Sequence, residues 1–151
     1  MQVIEYYHST RPEYWLSQMK KSDWEAGQYL YELLSRNRFK EMTGSRSKVM
    51  MLVDGEELAA FCTYAEKDDI QPTALTPWIG FVYTFPQYRG HRYMGILFEE
   101  IENQAKNENV HAIYISTGHT GLYEKYGYEF CQMMRDMEGE PSRVYRKCLI
   151  P

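Results

Sequence analysis

The chain has 151 residues, 44% of them hydrophobic and 25% charged, which are proportions typical of one globular domain. Its net charge of −4 argues against broad contact with nucleic acid, because such contact depends on clustered Lys and Arg. The sequence has no apolar run of about 20 residues and no basic leader followed by an apolar stretch. We therefore expect a cytoplasmic protein with no nucleic-acid partner and no membrane partner.

The chain begins with a strand and then two predicted helices. Thr10 and Ser22 each stand three residues before a glutamate, which is the spacing of a capping box, so we predict that a helix begins at each. The second helix, predicted over 23–38, has an apolar stripe typical of a helix packed on a sheet, formed by Ala26, Leu30, Leu33 and Leu34.

Two β-hairpin strands and a third, aromatic strand follow. Residues 49–53 and 58–65 are β-prone and flank the turn Asp54-Gly55, which tolerates a positive φ. The aromatic strand covers 77–85 and ends at Pro86, which cannot donate to a sheet ladder. Gly80 within this strand fits a bulge, a close approach of ligand or backbone, or the avoidance of a clash in a crowded core.

The turn 87–95 leads into a helix. Apolar residues recur behind it at helical spacing, at Met94, Leu97, Phe98, Ile101 and Ala105. A helix N-terminus has free N–H groups and a partial positive charge, which suit a phosphate group. Arg89, His91 and Arg92 add positive charge, and Gly90 and Gly95 let the backbone approach a ligand closely. The turn therefore predicts an anionic ligand.

A second motif, Gly-Leu-Tyr-Glu-Lys-Tyr-Gly-Tyr, occupies 121–128. Together with Tyr-Arg-Gly at 88–90 and the amphipathic helix after it, this motif resembles the acyl-CoA-dependent N-acetyltransferases of the GNAT superfamily. The resemblance covers 77–130, or 54 of 151 residues. It implies one mixed α/β domain over 1–151, with a mostly antiparallel sheet, one parallel βαβ crossover and helices on both faces. Two final strands are predicted at 128–134 and 143–150.

The resemblance also implies acetyl-CoA as co-substrate. Strand residues Val82, Tyr83 and Thr84 correspond to the family's contact with the pantetheine arm, which pairs like an added strand. The predicted pyrophosphate contacts are Arg89, Gly90, His91, Arg92, Tyr93, Met94 and Gly95. The chain departs from the family loop at Arg92 and Met94, because these two positions usually hold glycine or another small residue. Backbone amides remain able to bind the phosphates despite the larger side chains.

Tyr123 falls at the position where the family commonly places a tyrosine near the coenzyme sulfur. Acetyl transfer to an amine requires the departing thiolate to be protonated. An ordinary tyrosine, with a pKa of about 10, is a proton donor near neutral pH. The resemblance therefore implies that Tyr123 is the general acid. The alternative is that Tyr123 only packs beside Leu122 and Tyr126.

The sequence identifies the general base less clearly. Residues 78–85 contain no Asp, Glu or His, although some members of the family use a carboxylate on this strand. His119 titrates near neutrality and is one candidate base, but it also fits a helix cap or a contact with the cofactor. A water relay or a residue on another element is the remaining option.

The resemblance divides the domain into an acceptor side at 1–70 and an acetyl-CoA-binding core at 77–130. Five aromatic residues are candidates for a wall that holds a cationic amine: Trp15, Trp24, Tyr29, Tyr31 and Tyr83. We expect acetyl transfer to a primary amine of a small molecule or peptide, by direct attack in a ternary complex. A non-catalytic acyl-CoA sensor is the alternative. The sequence leaves the oligomeric state open, including a homodimer.

No metal site is predicted. The three cysteines, Cys62, Cys131 and Cys148, are odd in number and lack a paired metal-ligand spacing. This pattern indicates reduced thiols that pack as small apolar groups, not a disulfide framework or a zinc site.

Overall fold

The structure is a computed structural model that describes residues 1–150. The strands are β1 Gln2–Glu5, β2 Lys48–Asp54, β3 Glu57–Ala65, β4 Trp78–Thr84, β5 Ala112–Thr117, β6 Glu129–Arg135 and β7 Pro141–Cys148. The α-helices are α1 Pro12–Met19, α2 Glu25–Ser35, α3 Phe39–Thr43 and α4 Met94–Asn107. Short 3-10 helices occupy Tyr6–His8, Pro86–Tyr88 and Tyr123–Tyr126.

In the described residues the strands form one mixed sheet, in the order β1-β2-β3-β4-β5-β7-β6. Strands β4 and β5 pair in parallel, and the other neighbouring strands pair antiparallel. Helix α4 makes the crossover between the two parallel strands. The predicted mixed α/β fold with one parallel crossover is therefore confirmed.

The helices at the start of the chain form near their predicted positions but without the predicted capping boxes. The residues that precede α1 and α2 are Arg11 and Trp24, and neither side chain caps its helix. Ser22 Oγ is buried and has no hydrogen-bond partner in the described part of the chain. The side chain of Gln28 instead donates to the carbonyl oxygen of Ser22 at 2.7 Å. The capping-box interpretation was therefore wrong, although the apolar stripe placed the second helix near its observed position.

Helix α2 is shorter than predicted. It ends at Ser35 because Asn37 adopts a φ of 56°, a left-handed conformation that closes helices. The N–H of Arg38 then donates to the carbonyl oxygen of Leu33 at 2.8 Å. The additional helix α3 follows directly, and Phe39 at its start is buried at 1% exposure.

The core lies on both faces of the central strands. On β3 and β4 the side chains of Phe61 and Tyr83 lie together, and Trp24 at the start of α2 stacks on Tyr83. Because side chains alternate along a strand, Cys62 points to the opposite face. Helix α4 packs on β2 and β3, and its Phe98 is 1% exposed. The α1–α2 face and the α4 face are thus separate layers on one sheet.

In residues 1–150 no helix is both long and apolar enough to cross a membrane. The three cysteines are free thiols, and burial of Cys62 raises its pKa above the ordinary thiol value. A buried thiol with a raised pKa is a packing group and not an activated nucleophile.

Candidate functional site

The central feature of the site is a gap in the sheet between β4 and β5. The two strands pair at Trp78 with Tyr114 and at Ile79 with Ile115. Beyond these pairs β4 continues to Thr84 and β5 continues to Thr117 without further pairing in the described residues. We call this gap, flanked by residues 80–84 and 116–117, the β4–β5 opening. Its unpaired backbone suits an extended ligand that binds as an added strand.

A β-bulge shapes the β4 side of the opening. Thr63 on β3 pairs with Gly80, whereas Phe61 pairs with Tyr83, so Phe81 and Val82 form an irregular insertion in β4. Phe81 has a φ of 49°, which is strained for a large side chain and is typical of functional sites. The predicted bulge near Gly80 is therefore confirmed.

Gly80 itself makes room for a carboxylate. A Cβ atom at this position would lie 2.0 Å from Asp68 Oδ1, which is far inside van der Waals contact. Gly80 thus avoids a clash in a crowded region, which is one of the alternatives that the sequence left open. The group that approaches it is a side chain from the loop between β3 and β4.

The turn before α4 presents a row of free backbone amides. The N–H groups of residues 90–94 donate to no acceptor within the described chain. Gly90 has a φ of 87° and Arg92 a φ of 56°. Arg92 therefore adopts the left-handed conformation that favours glycine, which keeps the turn open although the side chain is large. We call residues 89–95 the phosphate loop.

Arg89 faces the strand and not the free amides. Its Nε donates to the carbonyl oxygen of Thr84 at 2.8 Å, and its guanidinium lies 3.9 Å from Asp23 Oδ1. The Tyr83 hydroxyl also donates to Asp23 Oδ1. This hydrogen bond, and then the Arg89 charge, lowers the pKa of Asp23. Arg89 thus joins the phosphate loop to the end of β4 and the start of α2, while Arg92 and His91 are exposed.

Tyr123 begins the 3-10 helix that Gly127 closes with a φ of 88°, as the sequence predicted. The ring is 6% exposed and lies between Phe98, at 6.2 Å, and Tyr145, at 6.3 Å between centroids. Its hydroxyl forms no hydrogen bond among residues 1–150. Burial raises the pKa of this hydroxyl, and nearby Cys62 and Asp68 raise it further. Such a hydroxyl stays protonated near neutral pH and cannot act as a base.

The phosphate loop and the 3-10 helix are in contact. A Cβ atom on Gly95 would lie 3.2 Å from the ring of Tyr126, so the glycine allows close packing of α4 against this segment. Tyr128 and Lys147 then both donate to the buried carboxylate of Glu102 on α4, at 3.0 and 2.8 Å. These contacts fix the position of Tyr123 relative to the loop.

His119 lies on the exposed connection between β5 and the 3-10 helix. Its backbone N–H donates to Thr117 Oγ1 at 3.0 Å. The residue before the helix is Leu122, and the N–H of Gly121 is bound by Glu124 Oε2 at 3.1 Å. His119 therefore does not cap this helix, and that alternative was wrong.

The predicted aromatic wall forms in part. Trp24 stacks on Tyr83 with centroids 5.6 Å apart, and Tyr29 lies 6.2 Å from Phe81, so three of the candidates lie between α2 and β4. Trp15 is 3% exposed and borders a surface cavity of about 370 Å³ beside β1. Tyr31 faces Lys20, whose Nζ is 5.4 Å from the ring centroid.

Sequence reasoning missed Asp68. Its carboxylate reaches Gly80 at the start of the β4–β5 opening, and burial followed by the charge of Asp69 raises its pKa to about 7. A signal was present in the acidic pair Asp68-Asp69 on the loop after β3 and in the glycine on the facing strand. This signal could be interpreted only with knowledge of how the loop 66–77 folds back onto β4.

These features define a class of protein. The unpaired strand edge suits the amide-containing pantetheine arm, the free amides suit the pyrophosphate, and the buried tyrosine suits the departing sulfur. This combination is that of a coenzyme A-dependent acyltransferase.

The chain belongs to the acetyltransferase (GNAT) family, whose family model matches residues 5–128. It is thus an acyltransferase that uses acyl-CoA. No match is found among curated proteins.

Solved structures share the fold at low sequence identity. The aminoglycoside 6'-N-acetyltransferase from Enterococcus faecium is 16% identical with a TM-score of 0.70, and the match covers 100% of this chain and 98% of that one. An aminoglycoside 6'-N-acetyltransferase complexed with coenzyme A is 15% identical with a TM-score of 0.68, at 100% and 98% coverage. An acetyltransferase from Streptococcus agalactiae is 19% identical with a TM-score of 0.66, at 97% coverage of both chains.

Proposed function

We propose that the protein transfers the acetyl group of acetyl-CoA to a primary amine of a small molecule or peptide, by direct attack in a ternary complex. The observation that carries this proposal is the β4–β5 opening, which has free amides beside it and a buried tyrosine hydroxyl near it. Acetyl-CoA supplies the activated acyl group. The protein holds the pyrophosphate with the backbone of residues 90–94, and the Tyr123 hydroxyl donates its proton to the sulfur.

The acceptor side supports an amine that carries positive charge. Asp23 is exposed, and its lowered pKa keeps it ionised at neutral pH. Trp24 follows Asp23 in the chain and stacks on Tyr83, and Tyr29 lies further along α2 beside Phe81. An aromatic face attracts a cation by roughly 0.5–2 kcal/mol. The similar structures named aminoglycoside acetyltransferases favour a small-molecule amine. The carboxylate and the rings together fit a polycationic amine better than a neutral one.

The proposal is tested by release of coenzyme A thiol from acetyl-CoA with a panel of amines that includes aminoglycosides, polyamines and short peptides. We expect at least one amine to raise thiol release above the rate of acetyl-CoA alone. In parallel, acetyl-CoA at about 100 times its Kd is expected to add roughly 2.7 kcal/mol to the free energy of unfolding, seen as a higher Tm. A Tm shift without thiol release from any amine would instead support the sensor.

Arg92→Ala is expected to weaken acetyl-CoA binding roughly tenfold, since a charge-assisted contact to phosphate is worth about 1.4 kcal/mol. Arg92 is exposed on the phosphate loop, and alanine meets about the same backbone cost at a φ of 56°. Arg46→Ala is the matched control, because Arg46 is exposed and lies on the connection before β2. Equal Kd values for the two variants, measured by calorimetry, would refute a role for the Arg92 side chain.

A further inference from the structure

We propose that Asp68 is the general base of this reaction and accepts the proton of the acceptor amine at the closed end of the β4–β5 opening. The inference rests on the proposed function and adds a catalytic residue that neither the strand β4 nor the motif at 121–128 contains.

The position of Asp68 is set by Gly80. Gly80 is the first β4 residue after the last pair with β5, Ile79 with Ile115, so it marks the point where the strands separate. Asp68 Oδ1 lies 2.0 Å from the place of a Cβ on Gly80, so any other residue at position 80 would displace the carboxylate. Residues 78–85 contain no carboxylate of their own, and Asp68 brings one to this strand from the preceding loop.

A buried hydroxyl without a partner lies at the same place. Thr63 pairs with Gly80 across the two strands, and paired residues point to the same face with Cβ positions about 5 Å apart. Thr63 is 0% exposed, and its Oγ1 has no hydrogen-bond partner in the described residues. An unpartnered buried hydroxyl is costly, and an amine bound beside Asp68 would supply the missing partner.

The base and the acid reach the opening from opposite faces of the sheet. Phe61 and Thr63 point to the α1–α2 face, where the acceptor-side aromatic rings lie. Tyr123 packs on Phe98 of α4 and lies near Cys62, which points to the other face. The amine therefore enters on the side of Asp68, and the sulfur leaves on the side of Tyr123.

The proton balance then closes. The N–C bond forms and the C–S bond breaks, Asp68 takes the proton that the amine loses, and Tyr123 gives its proton to the sulfur. The proton on Asp68 returns through solvent to the Tyr123 oxygen. Acetylated amine and free coenzyme A thiol are the products, and both side chains regain their initial states.

The electrostatics of Asp68 agree with this role. Its raised pKa of about 7 is close to neutral pH, which is optimal for a general base. Three charged or titratable groups lie near Asp68. Asp69 and Tyr123 interact with it directly, and Asp136 interacts with Asp69. Burial also raises the pKa of Asp69, although a hydrogen bond from Ser116 on β5 acts in the opposite direction.

The test compares Asp68→Asn with Glu66→Gln, a conservative change of an exposed carboxylate on the same loop. With an amine that the wild type acetylates, we expect Asp68→Asn to lower kcat roughly 100-fold. We also expect it to abolish the fall in rate as pH decreases through about 7. Glu66→Gln should keep both. Gly80→Ala, which pushes the carboxylate away, should reproduce the loss with Asp68 still present.

A second readout needs no substrate. In the unfolded chain Asp68 loses its proton above its ordinary pKa of about 4, whereas in the folded state it keeps the proton up to about pH 7. The free energy of unfolding of the wild type therefore falls as pH rises from about 4 to about 7. Asp68→Asn lacks this loss. Its Tm relative to wild type should therefore increase between pH 4.5 and pH 8, whereas that of Glu66→Gln should not.

The outcomes separate the two proposals. If the wild type acetylates an amine and Asp68→Asn keeps its kcat and its low-pH decline, the role of Asp68 is overturned and the proposed function stands. A Tm difference independent of pH also overturns it. If the wild type acetylates no amine, the proposed function fails, and the role of Asp68 fails with it.

Discussion

Tyr123→Phe is expected to lower kcat roughly 100-fold with acetyl-CoA and an accepted amine, because it removes the proton donor to the sulfur. Phenylalanine keeps the ring contacts with Phe98 and Tyr145. The hydroxyl makes no hydrogen bond among residues 1–150, so the free energy of unfolding should change by less than about 1 kcal/mol. The measurement is steady-state turnover, with Kd for acetyl-CoA determined separately.

Tyr7→Phe is the control for this variant. Tyr7 is partly buried against Phe39 and lies in the first 3-10 helix, away from the opening, and its hydroxyl likewise forms no hydrogen bond in the described chain. It should leave kcat unchanged. Full turnover in Tyr123→Phe would end the general-acid assignment, while reduced turnover in both variants would point to a general effect on the fold.

Phe98→Ala is expected to produce the largest loss of stability, about 3–5 kcal/mol. The ring is 1% exposed and lies 5.1 Å from the Tyr126 ring and 5.9 Å from the Tyr128 ring. Its removal leaves a cavity between α4 and the segment that carries Tyr123. For a chain of this size the Tm should fall by roughly 10 °C.

The matched control is Phe130→Ala on β6. Phe130 is 49% exposed and contacts Tyr145 at the surface, so its truncation should cost less than about 1 kcal/mol. Urea denaturation of both variants gives the comparison. A cost below about 1 kcal/mol for Phe98→Ala would show that the contact between α4 and the 3-10 helix does not anchor this part of the protein.

Local sequence patterns predicted the features that depend on neighbouring residues. The amphipathic helix after the phosphate loop, the Asp54-Gly55 hairpin and the glycine that closes the 3-10 helix are all set within a few residues of the chain. The approach of Asp68 to Gly80 was not predictable in this way, because it depends on the path of a loop of 12 residues between two strands. The capping boxes failed because tertiary packing buries Ser22 and leaves Gln28 to bind the backbone before α2.

The partial pairing of β4 with β5 divides the sheet into two units. One unit comprises β1 to β4 and the other comprises β5, β7 and β6, and β4 and β5 share two residue pairs. The two units are also joined by the buried cluster of Ile70, Trp78 and Val144, and by a hydrogen bond from the N–H of Met137 to the carbonyl oxygen of Asp69 at 2.8 Å. A pantetheine arm bound in the gap, as proposed, would supply main-chain hydrogen bonds to an incompletely paired seam. Under the proposed function the co-substrate would complete the sheet to which it binds, and departure of coenzyme A would reopen the seam in every catalytic cycle.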